Sequence, residues 1–315
     1  MALAIPNIVS DAKSGSDRPT LGLALGGGAA RGWSHIGVLE VLAEAGIVPD
    51  VIAGTSIGAV AGGAYAAGKL DALRAFATGL NTTRRVSSLV DLTPLSSGLS
   101  GGRKLDARLR THLDGIQLED LPIRTVFIAA ELRTGHEIWL RRGPIVDLMK
   151  ASYALPGVFH PVPINGRSLV DGALVNPVPV SVCRAYGARL VIAVNLSPET
   201  MPHGGVVPDL PDFQDGTLDA VLLGESQVLR CHFGAEGKGG PKGSPAVMMQ
   251  SFTIIQDRLT RMRLAGDPPD VTIAPHIGDI GMFDFHNADS AIEAGRVAAQ
   301  RALDDIEKLT RRLGR

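Results

Sequence analysis

The clearest candidate nucleophile of this sequence is a serine in a glycine-flanked turn. Residues 54–58 read GTSIG, which has the form G-x-S-x-G, and they follow a short apolar run and precede a stretch of small residues. Small residues are needed where a strand turns sharply into a helix, and such a turn exposes a hydroxyl near the positive end of the helix. The pattern favours Ser56 as nucleophile, with Gly54 and Gly58 forming the nucleophile elbow. The alternative is a serine that only caps the following helix.

A glycine-rich run at residues 26–32 (GGGAARG) could supply hydrogen-bond donors for acyl transfer. The tetrahedral intermediate carries a negative oxygen, which main-chain N–H groups stabilise. Glycines let a substrate oxygen approach the backbone, and a following helix adds its dipole. The glycines could equally form no more than a tight turn. The candidate oxyanion-hole residues are Gly26, Gly27, Gly28, Ala29 and Arg31.

The same glycine run is a weak candidate for nucleotide binding. A dinucleotide pyrophosphate binds a G-x-G-x-x-G turn after a first strand, but Arg31 stands where the last glycine of that pattern should be. The next strand ends in Gly54 and Ser56, where an acidic ribose ligand is expected, and no Lys-Ser/Thr of a phosphate-binding loop follows. The sequence therefore disfavours a nucleotide.

A nucleophilic serine needs a base, and Asp171 is the candidate. It follows the short apolar run of residues 168–170 and precedes a glycine, so it could extend from the end of a strand toward Ser56. Asp-Gly is also a strong turn signal. From the local residues alone, a turn residue and a catalytic base both remain open for Asp171.

The elements that must position these residues read as an α/β fold. An apolar run at 21–25 and another at 51–53 are each followed by a glycine-rich turn and a helical pattern, and this repeat favours a parallel sheet with helical crossovers. Further strands are predicted at 125–130, 168–170, 190–194 and 271–273. Further helices are predicted at 105–113, 145–152, 251–264 and 288–309.

Composition limits the classes of partner. The chain has 315 residues and a formal net charge of −1, so bulk charge attracts neither nucleic acid nor an anionic membrane. Cys183 and Cys231 lack metal-ligand spacing, and we expect two free thiols and no metal site. No apolar run is long enough to span a bilayer and the N-terminus lacks a signal pattern, which favours the cytoplasm.

Residues 1–19 read as a mobile leader, and flexible loops are expected near 82–104 and 198–245.

Taken together, the motifs resemble the patatin-like phospholipase family, in particular its bacterial members and the esterase domains related to neuropathy target esterase. The resemblance covers about residues 21–309. Four stretches carry it: GGGAARGWSHIG at 26–37, GTSIG at 54–58, ASYALPG at 151–157 and DGA at 171–173. It implies a patatin-like three-layer fold, with a mostly parallel central sheet flanked by helices, in a single catalytic domain over residues 20–312.

The resemblance also implies a Ser–Asp dyad without histidine, with Ser56 as nucleophile, Asp171 as base and main-chain donors around Gly27 and Gly28. Many family members carry a further glycine where this chain has Ala29. Arg31 matches the family's basic residue beside the oxyanion hole, where it could steady the loop, bind a phosphate head group or make a structural ion pair. We expect structural roles for His35 and His160, and none in catalysis for His203, His232 and His276.

These observations predict a serine acyl hydrolase of the phospholipase or lysophospholipase type. Asp171 would accept the proton of Ser56, and its pKa should be raised by a partly desolvated site. No metal or organic cofactor is expected. The expected partner is a lipid or other acyl ester, with peripheral membrane contact and oligomeric state left open. The alternative is a regulatory or adaptor protein that retains the fold with little turnover.

Overall fold

The computed structural model describes residues 20–80, 103–197 and 244–312. The predicted leader at 1–19, and the predicted loops at 82–104 and 198–245 except for their last two residues, lie outside the described residues. Those last two residues instead begin helices, one at Arg103 and one at Ser244.

The centre of the fold is a mixed sheet of eight strands among the described residues. Pairing joins them in the order β5-β6-β3-β2-β1-β7-β8, with β4 added on β3. The block β3-β2-β1-β7-β8 is parallel, whereas β4, β5 and β6 pair antiparallel. The strands are β1 Leu21–Leu25, β2 Val51–Thr55, β3 Arg124–Glu131, β4 Glu137–Leu140, β5 Val162–Ile164, β6 Arg167–Asp171, β7 Leu190–Val194 and β8 Val271–Ile273.

Helices cover both faces of the sheet, as the two hydrophobic clusters show. Leu21, Leu23 and Leu25 of β1 pack into the larger cluster with helices α1–α5 and α8, whereas Ala24 faces a smaller cluster that includes α6. This alternation gives three layers, because successive side chains of a strand point to opposite faces. The helices are α1 Ser34–Glu44, α2 Ile57–Ala66, α3 Leu70–Thr78, α4 Arg103–Leu113, α5 Ile145–Ser152, α6 Val180–Ala185, α7 Ser244–Gly266 and α8 Ala288–Arg312.

One edge of β3 pairs with two strands in succession. Strand β2 pairs with β3 up to Thr55 opposite Ile128, and β6 pairs from Asp171 opposite Ala129. Because β4 occupies residues 127–130 on the other edge, β2 and β6 must follow one another along the same edge. The end of β2 therefore meets the end of β6, which brings the next residue after Thr55 close to Asp171.

The α/β class and the predicted strands are confirmed, with slightly longer limits for several of them. The helix predicted at 251–264 begins earlier, at Ser244, and the helix predicted at 105–113 begins at Arg103. The structure adds β4, β5, α3 and α6, none of which was predicted. Within the described ranges, no helix is long and apolar enough to cross a membrane.

Candidate active site

Ser56 occupies the sharp turn between β2 and α2 in an unusual backbone conformation. Its φ is 56° and its ψ is −121°, a region that non-glycine residues rarely adopt and that costs about 1–3 kcal/mol unless the surroundings hold it. Ser152 helps to stabilise this backbone conformation. The Ser56 N–H donates to Oγ of Ser152 at 2.9 Å, and the Ser152 hydroxyl donates to the carbonyl oxygen of Ile128 at 2.6 Å.

The two glycines of this turn have no room for a side chain. A Cβ at Gly58 would lie 2.2 Å from the carbonyl oxygen of Leu25, and one at Gly54 would lie 2.6 Å from the carbonyl oxygen of Gly58. Neither neighbour is a flexible side chain, so the backbone would have to move. The sequence pattern G-x-S-x-G is thus a packing requirement of the turn that presents Ser56.

Asp171 ends β6 and is hydrogen-bonded to Ser56. The Ser56 hydroxyl donates to Oδ2 of Asp171 at 2.7 Å, and the N–H of Ala173 donates to Oδ1 at 2.8 Å. Both side chains are nearly enclosed, since Ser56 is 8% exposed and Asp171 is 3% exposed. The structure therefore brings together the two residues predicted from separate motifs, with one carboxylate oxygen held by the backbone and the other directed at the serine.

Burial changes the acidity of Asp171. Loss of solvent raises its pKa from 3.8 to about 6, although the hydrogen bonds from Ala173 and Ser56 act in the opposite direction. A carboxylate with that pKa is ionised at neutral pH and is a stronger base than an exposed aspartate. This matches the environment expected for Asp171 from the sequence.

The candidate oxyanion-hole residues differ in which N–H groups remain available. Gly26 donates to the carbonyl oxygen of Val194 at 3.1 Å, and Gly27 donates to that of Pro177 at 2.9 Å. For the N–H groups of Gly28 and Ala29, the described part of the chain offers no acceptor. Ala29 has a φ of 49°, a backbone conformation that suits glycine. An alanine at this position still carries its backbone N–H.

Arg31 is buried and holds the glycine-rich run of residues 26–32, called the glycine loop below. Its Nε donates to the carbonyl oxygen of Ile280 at 2.7 Å, and only 6% of the residue is exposed. Burial lowers the pKa of Arg31, while the nearby Asp284 raises it. The side chain thus ties the loop to the segment before α8.

Ser56 and Asp171 open onto a cleft whose other walls are mostly apolar. The cleft has about 980 Å³ of empty space, its open mouth included. Trp33 packs edge-to-face against Phe76 and Phe285 at ring-centroid distances of 6.1 and 6.0 Å, and Tyr153 packs in the same manner against Phe159 at 5.4 Å. All five rings line the cleft, together with side chains of α4 and with Phe252 of α7. This lining suits a hydrocarbon chain.

No histidine among the described residues is hydrogen-bonded to Ser56 or Asp171. His35 is fully buried, with Nε2 2.8 Å from the carbonyl oxygen of Gly26, and burial lowers its pKa to about 4. His160 is exposed. His203 and His232 lie outside the described residues, as does Cys231; Cys183 is a buried free thiol. Across residues 20–80, 103–197 and 244–312, no three His, Cys, Asp or Glu residues are placed to hold a metal ion.

Two functional features were not predicted from the sequence. Ser152, the tether of Ser56, lies within the ASYALPG stretch, but that motif alone does not reveal a hydrogen bond to a neighbouring turn. Gln256 lines the cleft from α7, and no motif marks it.

Comparison with known proteins gives a consistent family. Residues 23–184 match the family model described as patatin-like phospholipase. An uncharacterized NTE family protein of Mycobacterium tuberculosis is 32% identical over 93% of this chain and 94% of its own length. Patatin-like phospholipase domain-containing protein 6 of Mus musculus is 32% identical over 56% of this chain and 13% of its own. Among solved structures, VipD from Legionella pneumophila has a TM-score of 0.43 and 13% identity, covering 93% of this chain and 68% of VipD.

Proposed function

The chain belongs to the patatin-like phospholipase family, and we propose that it is a serine acyl hydrolase that cleaves carboxylic esters of lipids. In this proposal Ser56 is the nucleophile and Asp171 is its base. The observation that carries it is the 2.7 Å hydrogen bond from the Ser56 hydroxyl to a buried carboxylate, at the wall of an apolar cleft. A nucleophile bonded to a base of raised pKa is the arrangement that activates a serine hydroxyl.

Acylation would proceed through a tetrahedral intermediate. Oγ of Ser56 attacks the ester carbonyl carbon while its proton moves to Oδ2 of Asp171, and the carbonyl oxygen becomes negative. The N–H groups of Gly28 and Ala29 would stabilise that oxygen, since those of Gly26 and Gly27 are already bonded. When the carbon–oxygen bond breaks, the leaving alcohol takes the proton from Asp171.

Deacylation would use the same groups. Water attacks the carbonyl carbon of the acyl-enzyme and gives its proton to Asp171, and that proton returns to Oγ of Ser56 as the fatty acid leaves. Each step moves one proton between oxygen atoms, so no metal or cofactor is needed.

The cleft favours an acyl chain as the recognised part of the substrate. The aromatic side chains around Ser56 bury hydrocarbon at about 25 cal/mol per Å² of apolar surface removed from water. The proposed substrates are therefore phospholipids, lysophospholipids or acylglycerols, which carry a carboxylic ester beside a long chain.

A lipid substrate also implies a membrane contact. The outward side of α7 carries five exposed apolar residues, namely Val247, Met248, Ile254, Ile255 and Met262, while Phe252 on the same helix lines the cleft. An exposed apolar helix face beside the mouth of a lipid cleft is suited to the surface of a bilayer. We propose a cytoplasmic enzyme that contacts a membrane at its surface.

Turnover of a short p-nitrophenyl ester by the purified chain tests the proposal. We expect hydrolysis by the wild-type chain, its loss in Ser56→Ala, and its retention in Ser168→Ala, which removes an exposed hydroxyl from β6. No turnover of this ester or of any lipid ester by wild-type protein would contradict the proposal and favour the regulatory or adaptor alternative. A panel of phospholipids, lysophospholipids and acylglycerols would then define the substrate.

A further inference from the structure

Helix α7 places a side-chain amide beside the nucleophile. Gln256 is half-buried and lines the cleft together with Ser56, Gly28 and Ala29. Its Nε2 lies 3.5 Å from the position that a Cβ on Gly27 would occupy, and Cβ of Ser56 lies 3.6 Å from the same position. The amide and the nucleophile thus approach the same side of the glycine loop.

The donors of this amide are not used elsewhere in the described part of the chain. The backbone carbonyl of Gln256 accepts a hydrogen bond from the Thr260 hydroxyl at 2.8 Å, but the side-chain amide has no partner among the described residues. Its neighbour Asp257, by contrast, receives a hydrogen bond from Arg261 at 2.9 Å. The side-chain amide of Gln256 carries two N–H donors. A bound group that accepts a hydrogen bond from one of them finds the donor already in position.

An arginine two turns further along the helix attaches α7 to the turn beside Asp171. Arg263 lies seven residues after Gln256, on the same side of the helix. It donates to the carbonyl oxygen of Val175 at 2.7 Å and contacts Oε2 of Glu137 at 3.3 Å. Val175 follows the Gly172–Leu174 turn, whose Ala173 holds Asp171. Helix α7 is therefore attached to the same turn that positions the base.

We propose that the Gln256 side chain donates a hydrogen bond to the substrate's carbonyl oxygen as that oxygen becomes negative, as a third donor beside the N–H groups of Gly28 and Ala29. The inference rests on the proposed ester hydrolysis and adds a catalytic residue to it. Donors held in place before the reaction stabilise the developing charge without reorganising, and a side-chain amide serves this purpose as well as a backbone N–H.

The test compares Gln256→Met, which keeps the length of the side chain but removes both donors, with Gln256→Glu, which keeps its shape and adds a negative charge. On a short p-nitrophenyl ester, which has no lipid head group, we expect kcat to fall by roughly 10²- to 10³-fold in Gln256→Met with KM little changed. Gln256→Glu should be slower still, because its carboxylate repels the negative oxygen. Inactivation by a fluorophosphonate should slow in parallel.

Gln250→Met is the matched control, since it makes the same change on the same helix outside the residues that line the cleft. It should retain wild-type kcat. Thermal unfolding of each variant shows whether α7 stays packed, and if Gln256→Met unfolds, the polar Gln256→Glu variant alone decides.

Two results would overturn the inference. Wild-type kcat in folded Gln256→Met and Gln256→Glu would do so, and so would a change confined to KM for substrates with a head group, which would make Gln256 a head-group contact. Failure of the proposed function is distinct from both, because the wild-type chain itself would then lack turnover that depends on Ser56, and the inference would fall with it.

Discussion

The Ser56 hydroxyl donates to Oδ2 of Asp171 at 2.7 Å although 115 residues separate them in the sequence. Their meeting follows from the sheet: β2 ends opposite Ile128 of β3, and β6 ends opposite the next residue, Ala129. The carbonyl of Ile128 is taken by the Ser152 hydroxyl, which in turn holds the backbone of Ser56. The geometry of the pair is therefore set by strand register more than by the local turn.

The raised pKa of Asp171 predicts the pH dependence of turnover. Asp171 must be ionised to accept the Ser56 proton, so kcat/KM for a small ester should rise with pH, about tenfold per unit below pH 6, and level off above its pKa of about 6. A pH series from 4.5 to 9 measures this. His35, whose pKa is about 4, is neutral throughout most of that range. An inflection near pH 7 that disappears in a histidine variant would contradict the assignment.

The raised pKa of Asp171 also predicts that its ionised form lowers the stability of the folded chain. Because the pKa of Asp171 is higher in the folded chain than its ordinary 3.8, the folded state binds the proton more tightly than the unfolded state. The free energy of unfolding therefore falls as pH rises from about 4 to about 6, and it stays lower above pH 6. Asp171→Asn removes this penalty and still offers an oxygen to the N–H of Ala173.

We accordingly expect Asp171→Asn to lower turnover by roughly 10²- to 10⁴-fold, yet to be more stable than wild type at pH 8, by up to about 3 kcal/mol. The stability difference should shrink at pH 4. Urea denaturation at both pH values measures it, with Asp305→Asn on the exposed side of α8 as control. A variant that folds and hydrolyses esters at the wild-type rate would exclude Asp171 as base, and a variant less stable at pH 8 would contradict the argument from burial.

Ser152→Ala should damage both stability and turnover. The change leaves the N–H of Ser56 and the carbonyl of Ile128 without their partner, at about 1–3 kcal/mol for each buried group. It also releases the Ser56 backbone from its rare conformation, so we expect kcat to fall at temperatures where the variant is fully folded. Thermal unfolding and ester turnover would be measured together. Unchanged values for both would show that Ser152 is not a tether of the turn.

The exposed side of α7 predicts a separate effect on membrane binding. Replacing Ile254, Ile255 and Met262 together by serine should reduce co-sedimentation with phospholipid vesicles and hydrolysis of vesicle lipids, while leaving turnover of a soluble short ester unchanged. Leu132→Ser, which alters an exposed apolar residue outside this helix, is the control. Equal vesicle binding by the triple variant and wild type would refute the proposed contact.

The buried parallel strands could be predicted because they are continuous apolar runs bounded by turn residues, as in Leu21–Leu25 and Leu190–Val194. Strand β5 could not, because it has three residues with Pro163 among them, and proline is disfavoured in strands. Strand β4 carries the exposed Trp139 between partly buried and buried neighbours, which gives too short a pattern to interpret.

The residues of the candidate site also divide into those that the sequence predicts and those that it does not. Ser56 and Asp171 each lie in a short motif with a glycine that the turn requires. Gly58 has no room for a Cβ, and Gly172 lies against the carbonyl of Ile128. The place of Gln256 beside Gly27 depends on where α7 packs, and one contact of that packing is the hydrogen bond from Arg263 to Val175. A relationship of that kind has no local signature, because it arises only when the helix packs.

The site at which a fluorophosphonate modifies the chain tests whether Ser56 is the nucleophile, because this reagent reacts with an activated serine. Peptide mass spectrometry of the treated wild-type chain should place the adduct on Ser56. Labelling should be absent in Ser56→Ala and much slower in folded Asp171→Asn, and it should proceed normally in Ser168→Ala. An adduct on Ser34, Ser152 or any other serine, or undiminished labelling of Ser56→Ala, would contradict the assignment of Ser56 as nucleophile.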